Sequence, residues 1–281
     1  MARNKNLKGN ERVMSEKKLF EAHRVDLYRG TKRVFKNLNL TINNNESVAI
    51  FGPNGSGKTT LLKAINREVY PASKNDSWIK IFEKKIWNVW QLRTMIGIVS
   101  DDLHLSYNPN TIGMEVILSG FYSSVGIQGI LKDQITKEQI EKTQNIMHDL
   151  DITDFAKKPL HKMSMGQQKR CLLARALVHN PQTILLDEPT TGLDLAGTFK
   201  YLEILTKLKN EGCNIILISH NLLEITEIID RVILLSNGKI IGDGNKTAVL
   251  SEENLSLAFG IKIGLKKING NYLPFKKTKS Q

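Results

Sequence analysis

An α/β fold with a mixed, mainly parallel sheet at its core, an antiparallel β subdomain and a helical subdomain is predicted by three features of the sequence. Short apolar runs of strand length recur at Val48–Phe51, Ile96–Ser100, Thr183–Asp187 and Asn214–Ser219, with helix patterns between them, as in a core sheet covered on both faces. A glycine-rich stretch, Gly52-Pro53-Asn54-Gly55-Ser56-Gly57-Lys58-Thr59, joins the first run to the helix pattern of Thr60-Leu-Leu-Lys-Ala-Ile. Upstream, residues 19–42 alternate apolar and polar positions around Arg29-Gly30-Thr31-Lys32, the signal of antiparallel strands joined by a turn.

Taken in order, residues 1–18 are polar and aperiodic and are expected to be a disordered leader. Tyr28, inside the alternating stretch, reads from its surroundings as a core aromatic. Asn43-Asn44-Asn45-Glu46 is a turn, since asparagine tolerates left-handed backbone angles. The glycine-rich stretch that follows has the form and the strand-to-helix setting of a phosphate-binding loop. Its glycines let successive N–H groups point inward at a helix N-terminus, where an anion is stabilised. Lys58 supplies a cation for the β- and γ-phosphates, and the Thr59 hydroxyl is placed to ligate Mg²⁺.

Pro71–Asn75 is a polar break, Trp78–Phe82 a strand, and residues from about 103 to 160 a helical insert in which Thr136 and Gln139 form a capping box. The insert lacks sustained heptads, so it carries no long coiled coil. Ser164-Met165-Gly166-Gln167-Gln168-Lys169-Arg170 then opens a helix that Asn180-Pro181 ends. The apolar run at Thr183 terminates in Asp187 and Glu188. Adjacent acids at a buried strand end are costly unless a cation or a proton transfer uses them, so Asp187 reads as a Mg²⁺-side residue and Glu188 as a water-activating base. Thr190-Thr191-Gly192-Leu193-Asp194 is a turn, and the run from Asn214 ends at His220, in isolation an ordinary polar residue.

Composition narrows the function classes. The 281 residues carry a formal net charge of +12, but residues 1–18 hold net +4 and residues 259–281 net +6. The body is therefore near neutral, and the basic ends read as solvated tails rather than a nucleic-acid face. No uninterrupted apolar run reaches membrane-spanning length; the nearest, Asn214–Leu235, is interrupted by His220, Asn221, Glu224, Glu227, Asp230 and Arg231. No apolar segment stands behind the charged N-terminus, so no secretory signal is expected. Cys171 and Cys213 do not form a metal-ligand pattern.

The order of these clusters resembles the ATP-binding-cassette ATPases over roughly residues 19–250. The matching motifs are the phosphate-binding loop, a signature like Ser164-x-Gly166-Gln167, a strand ending like Asp187-Glu188-Pro189-Thr190, a loop like Gly192-Leu193-Asp194, and a histidine like His220. The resemblance implies a P-loop NTPase core, ATP hydrolysis with Mg²⁺, and catalytic roles for Lys58, Glu188 and His220. It places Tyr28 on adenine, and Gly52, Pro53, Asn54, Gly55, Ser56, Gly57, Lys58, Thr59 and Thr60 on the phosphates of one ATP. Ser164, Gly166 and Gln167 are assigned to the ATP of a second cassette, so a homodimer is implied, and Asp194 is counted among the nucleotide-binding residues. Metal contacts fall to Thr59, Asp187 and Asp101. Three positions depart from the pattern: Met165 and Asn45 replace glycines, and Asp101 stands where a glutamine is usual. Leu118–Gly126 and Leu257–Tyr272 look similar to single cassettes near the metal- and iron-chelate importers. The expected organisation is residues 1–18 leader, 19–250 ATPase domain with a helical subdomain at about 103–165, and 251–281 a C-terminal helix and basic tail. Such a subunit sits on the cytoplasmic face of a membrane and drives a separate permease; the alternative is a soluble ATPase acting on ribosomes or nucleic acid.

Overall fold

The computed structural model describes residues 17–277, so the expected leader, save its last two positions, and the last four residues lie outside the described part. Strands β1 (Lys18–Arg29) and β2 (Lys32–Asn43) pair antiparallel around the Gly30 turn. Next come β3 (Val48–Phe51), α1 (Lys58–Ile65) and β4 (Trp78–Ile81), the last joining the edge of β1 to make a sheet of order β2-β1-β4. Helix α2 (Val89–Met95), begun by an Asn88 side-chain cap, leads straight into β5 (Ile96–Val99). The helical region comprises α3 (Asp101–Ser106), α4 (Gly113–Leu118), α5 (Ile130–Asp133), α6 (Lys137–Asp149) and α7 (Met165–Leu177). The expected capping box of Thr136 and Gln139 is formed at the start of α6.

The chain then returns to the main sheet through β6 (Thr183–Asp187), α8 (Leu195–Asn210), β7 (Asn214–Ser219), β8 (Arg231–Ser236) and β9 (Lys239–Asn245). The six strands lie in the order β5-β6-β7-β3-β8-β9, parallel except for β9. Because side chains alternate along a strand, each apolar run feeds two cores. Ala49, Phe51, Ile184, Leu186, Ile215 and Leu217 face the helical side, whereas Val48, Ile50, Leu185, Ile216 and Ile218 pack with α1 and the antiparallel sheet. Nothing in these runs alternates with polar residues because both faces are covered. The stretch Asn214–Leu235 that came nearest to membrane-spanning length is therefore two sheet strands joined by a turn, and among the described residues no helix is long and apolar enough to cross a membrane.

The C-terminal part consists of α9 (Lys246–Val249), α10 (Glu252–Phe259) and the antiparallel hairpin β10 (Ile263–Ile268) and β11 (Asn271–Lys276). This corrects the expectation of a solvated basic tail after the helix. Tyr272 is buried in the core of the helical side, with Ile263 and Leu265 packed against it. Ser256 Oγ accepts the Ile263 N–H at 2.9 Å, and Glu252 accepts the Leu265 N–H at 2.9 Å, so α10 holds the hairpin's first strand. The lysines occupy its exposed positions, which is why charge alone suggested a tail.

Candidate functional site

The C-terminal ends of β3, β6 and β7 lie side by side, and the candidate residues follow them. This is where open α/β sheets place ligands. After β3, the loop turns through Gly52 (φ 152°) and Gly57 (φ 111°). A Cβ on Gly52 would lie 2.2 Å from the Leu235 carbonyl oxygen, and one on Gly57 would lie 2.7 Å from the Phe35 ring, so both positions require glycine. Helix α1 starts directly from Gly57 with no side-chain cap and no acid in its first turn, leaving its N–H groups for an anion. Ser56 Oγ is buried in the loop and has no hydrogen-bond partner in the protein. Lys58 is buried; its Nζ donates to the Gly52 and Pro53 carbonyls at 2.8 and 3.1 Å and lies 4.0 Å from Glu188 Oε1. Burial pulls its pKa below the ordinary lysine value, opposed by the charges of Glu188 and Asp187.

Two cavities meet at this loop. One is bounded by Arg29, Arg33, Asn54, Gly55, Lys58 and Glu188; the other brings Tyr28, Thr59, Thr60, Asp101, Asp187 and Glu188 to one wall. Tyr28 is half-exposed on the second cavity instead of being core, consistent with a face for a planar ring. Asp187 ends β6, and its carboxyl is pushed up to about 6 by burial first and then by Glu188 and Asp101. An acid held in that state gains from a divalent cation, and a Thr59 hydroxyl shares its cavity. Among the described residues no group of three or more His, Cys, Asp or Glu could hold a metal by itself. One hydroxyl and one carboxylate fit Mg²⁺ that takes its remaining ligands from phosphates and water. The uncapped helix, the glycine nest, the buried lysine and the partnerless serine likewise fit a nucleoside triphosphate.

The raised Asp187 pKa has a testable sign. A carboxyl whose folded pKa, about 6, exceeds its unfolded value near 3.8 favours the folded state in its protonated form, so stability is lost as pH rises between those values. Asp187→Asn should therefore raise the thermal unfolding midpoint of the nucleotide-free protein at neutral pH, with the gap closing as pH falls toward 4. A gap independent of pH would show that Asp187 carries no such burden.

Glu188 follows β6 with a left-handed backbone (φ 47°), a conformation that costs a non-glycine residue on the order of 1–3 kcal/mol. The turn brings its Oε1 to 2.8 Å from His220 Nδ1, with the Thr191 hydroxyl donating to Oε2 at 3.5 Å. His220 follows β7, and the β6–β7 pairing of Asp187 with Ile218 is what brings two residues 32 positions apart together. A residue that the sequence did not reveal supports them. Glu224 is buried in the turn after His220, and its Oε1 accepts from both the N–H (2.9 Å) and the hydroxyl of Thr190, tying the loop after β6 to the loop after β7. Nothing in the local pattern distinguishes Glu224 from a surface acid.

The other candidates are not brought to this site. Ser164 caps α7, accepting the Gln167 N–H, while Gln167 Oε1 accepts from the Ser164 N–H and from Lys158 Nζ. A Cβ on Gly166 would meet the Leu193 side chain at 3.7 Å, an ordinary contact distance. Asp194 caps α8 by accepting the Gly197 N–H at 2.7 Å. Neither cavity at the glycine-rich loop is lined by Ser164, Gly166, Gln167 or Asp194.

Comparison with known proteins agrees with this geometry. The family model described as ABC transporter matches residues 35–191. The chain is 31% identical over 247 residues to the ABC transporter ATP-binding protein YlmA of Bacillus subtilis (strain 168), covering 87% of this chain and 92% of that one. It is 33% identical over 239 residues to the phosphonates import ATP-binding protein PhnC 2 of Oceanobacillus iheyensis, covering 84% and 92%. Among solved structures it superposes on a metal-chelate type ABC transporter in an inward-facing conformation with a TM-score of 0.75 and 23% identity, covering 92% of this chain and 98% of that one. It also matches the dimeric post-hydrolysis state of the ATP-binding cassette MJ0796 bound to ADP and Pi, with a TM-score of 0.66, 26% identity, and coverage of 80% and 98%.

Proposed function

This chain belongs to the ABC transporter ATP-binding family, and from that premise we propose that it works as one of two identical cassettes on the cytoplasmic face of a membrane permease. It binds and hydrolyses ATP. The observation that carries the reading is the meeting of Glu188, His220, Lys58 and Asp187 at the ends of β6, β7 and β3, while Ser164, Gly166, Gln167 and Asp194 stand elsewhere on the same chain. One set of nucleotide-binding candidates is gathered at these cavities and the other set stands outside them, so a second copy is the economical way to close both.

In this reading the loop N–H groups, Lys58 and Thr60 hold the phosphates, and Tyr28 carries the base. Thr59 and Asp187 would hold Mg²⁺, which would supply neutralisation of phosphate charge. Glu188 takes a proton from the attacking water, and His220, donating from Nδ1 to Oε1, fixes the rotamer that aims it. Asp101 adds a carboxylate to the metal side of the cavity. Relatives bear the names of phosphonate and metal-chelate transporters, and the cargo of this chain's permease is set by the permease.

Purification of the tagged chain from detergent-solubilised membranes tests the partner. A polytopic membrane protein is expected to co-elute in stoichiometric amount. Recovery of ribosomes or nucleic acid instead, with ATPase stimulation that collapses as salt rises, would overturn the permease reading.

A further inference from the structure

Lys169 stands one turn beyond the N-terminus of α7, buried to 3% exposure, and no role so far described uses it. A buried ammonium is costly unless its protons are taken up, and among the described residues two acceptors stand near it. Its Nζ donates to the backbone carbonyl of Glu188 at 3.0 Å, and Asp101 Oδ1 lies 3.6 Å away. That carbonyl belongs to the residue with the left-handed backbone; it also accepts the Thr191 N–H at 3.1 Å, while the Glu188 N–H donates to Ile218 at 2.9 Å. The backbone of Glu188 is thus held on one side by β7 and on the other by the loop and by Lys169.

We propose that Lys169 is a positioning residue for hydrolysis: it holds Glu188 in the left-handed turn that directs the carboxylate to His220, with Asp101 as its counter-charge. The ammonium is the charged donor on a carbonyl that would otherwise rely on one loop amide, and charge-assisted bonds are the stronger kind. Released from it, the residue after β6 relaxes toward the extended conformation that any side chain prefers, and the carboxylate swings off line. The same arrangement gives Asp101 a use that a glutamine there would not serve, since a neutral amide leaves the buried charge without an opposite one. It also links three elements. Asp101 begins α3, whose His104 contacts Gln168 of α7, so α3 and the start of α7 meet Glu188 through two adjacent side chains. Movement of the helical region is thereby felt at the base.

The inference rests on Glu188 being the base, and the experiment separates the two. Steady-state ATPase is measured on the full chain for Lys169→Met, Lys169→Arg and Asp101→Asn, and for Lys169→Met on a Glu188→Gln background. Lys169→Met should lower kcat by about tenfold or more with KM for ATP changed less than about twofold, the mark of an interaction used in the transition state. Lys169→Arg, which keeps a charged donor, should recover most of the loss, and Asp101→Asn should fall between. On the Glu188→Gln background the same Lys169→Met change should alter the residual rate by less than about twofold, because a residue acting through Glu188 has nothing left to act on. A normal kcat in Lys169→Met, a KM that rises in step with the fall in kcat, or an equal further loss on the Glu188→Gln background overturns the proposal. Should Lys169→Met not fold, Lys169→Gln, which keeps a neutral donor of similar length, reads the same three quantities. Wild-type turnover in Glu188→Gln alone would instead overturn the assignment of the base.

Discussion

Replacing Glu188 by glutamine is expected to slow ATP hydrolysis by about 10²-fold or more while ATP remains bound, because general-base assistance is worth about 10²–10⁴ in rate. The substitution keeps the shape of the side chain, its hydrogen-bonding reach to His220 and Thr191, and the left-handed backbone after β6. What it removes is the ability to take a proton from water. It also removes the negative charge 4.0 Å from Lys58 and one of the charges that raise the Asp187 pKa, so metal and phosphate binding should not suffer. Single-turnover hydrolysis and nucleotide affinity, measured on the same preparation, separate the two effects. Unimpaired turnover would place the base elsewhere in the cavity.

Lys58→Ala acts on binding. The lysine is buried, and its Nζ is held within the loop by the Gly52 and Pro53 carbonyls. A cation in that position makes a charge-assisted contact with the phosphates. Its loss should cost about 1.5–3 kcal/mol, roughly a 10- to 150-fold weaker complex. The effect should be larger for ATP than for ADP, since the cation serves the β- and γ-phosphates. Equal affinity of the variant and the parent for ATP, read by calorimetry, would contradict the assignment of the loop.

The glycine-rich loop was legible as a strand-to-helix turn because its pattern is local: glycines, lysine and threonine at fixed spacing between a strand and a helix. The strands at Val48, Ile96, Thr183 and Asn214 were legible because burial on both faces leaves an unbroken apolar run. Strands β8 and β9 did not separate from their surroundings, since the turn after His220 holds apolar Leu222, Ile225, Ile228 and Ile229 in the core and so blurs the boundary between β7 and β8. The C-terminal hairpin was misread because its outward positions carry lysines while only a few inward residues, Tyr272 foremost, reach the core.

At the site, the meeting of Glu188 with His220 depends on β6 lying beside β7 in register, which no local pattern specifies. Glu224 on Thr190 and Lys169 on the Glu188 carbonyl are contacts of the same kind. Each joins motifs that are separately readable, and the joining is a property of the sheet order.

In the proposed reading each ATP is held between the glycine-rich loop of one copy and the α7 start of another. Sedimentation of the Glu188→Gln protein with and without ATP and Mg²⁺ tests it most directly, because that variant should hold ATP without consuming it. A monomer is expected without nucleotide and a dimer with ATP, with a return to monomer when Ser164 and Gly166 are replaced by bulky residues that leave ATP binding to the monomer intact. A Glu188→Gln protein that binds ATP and sediments as a monomer at every concentration would contradict it.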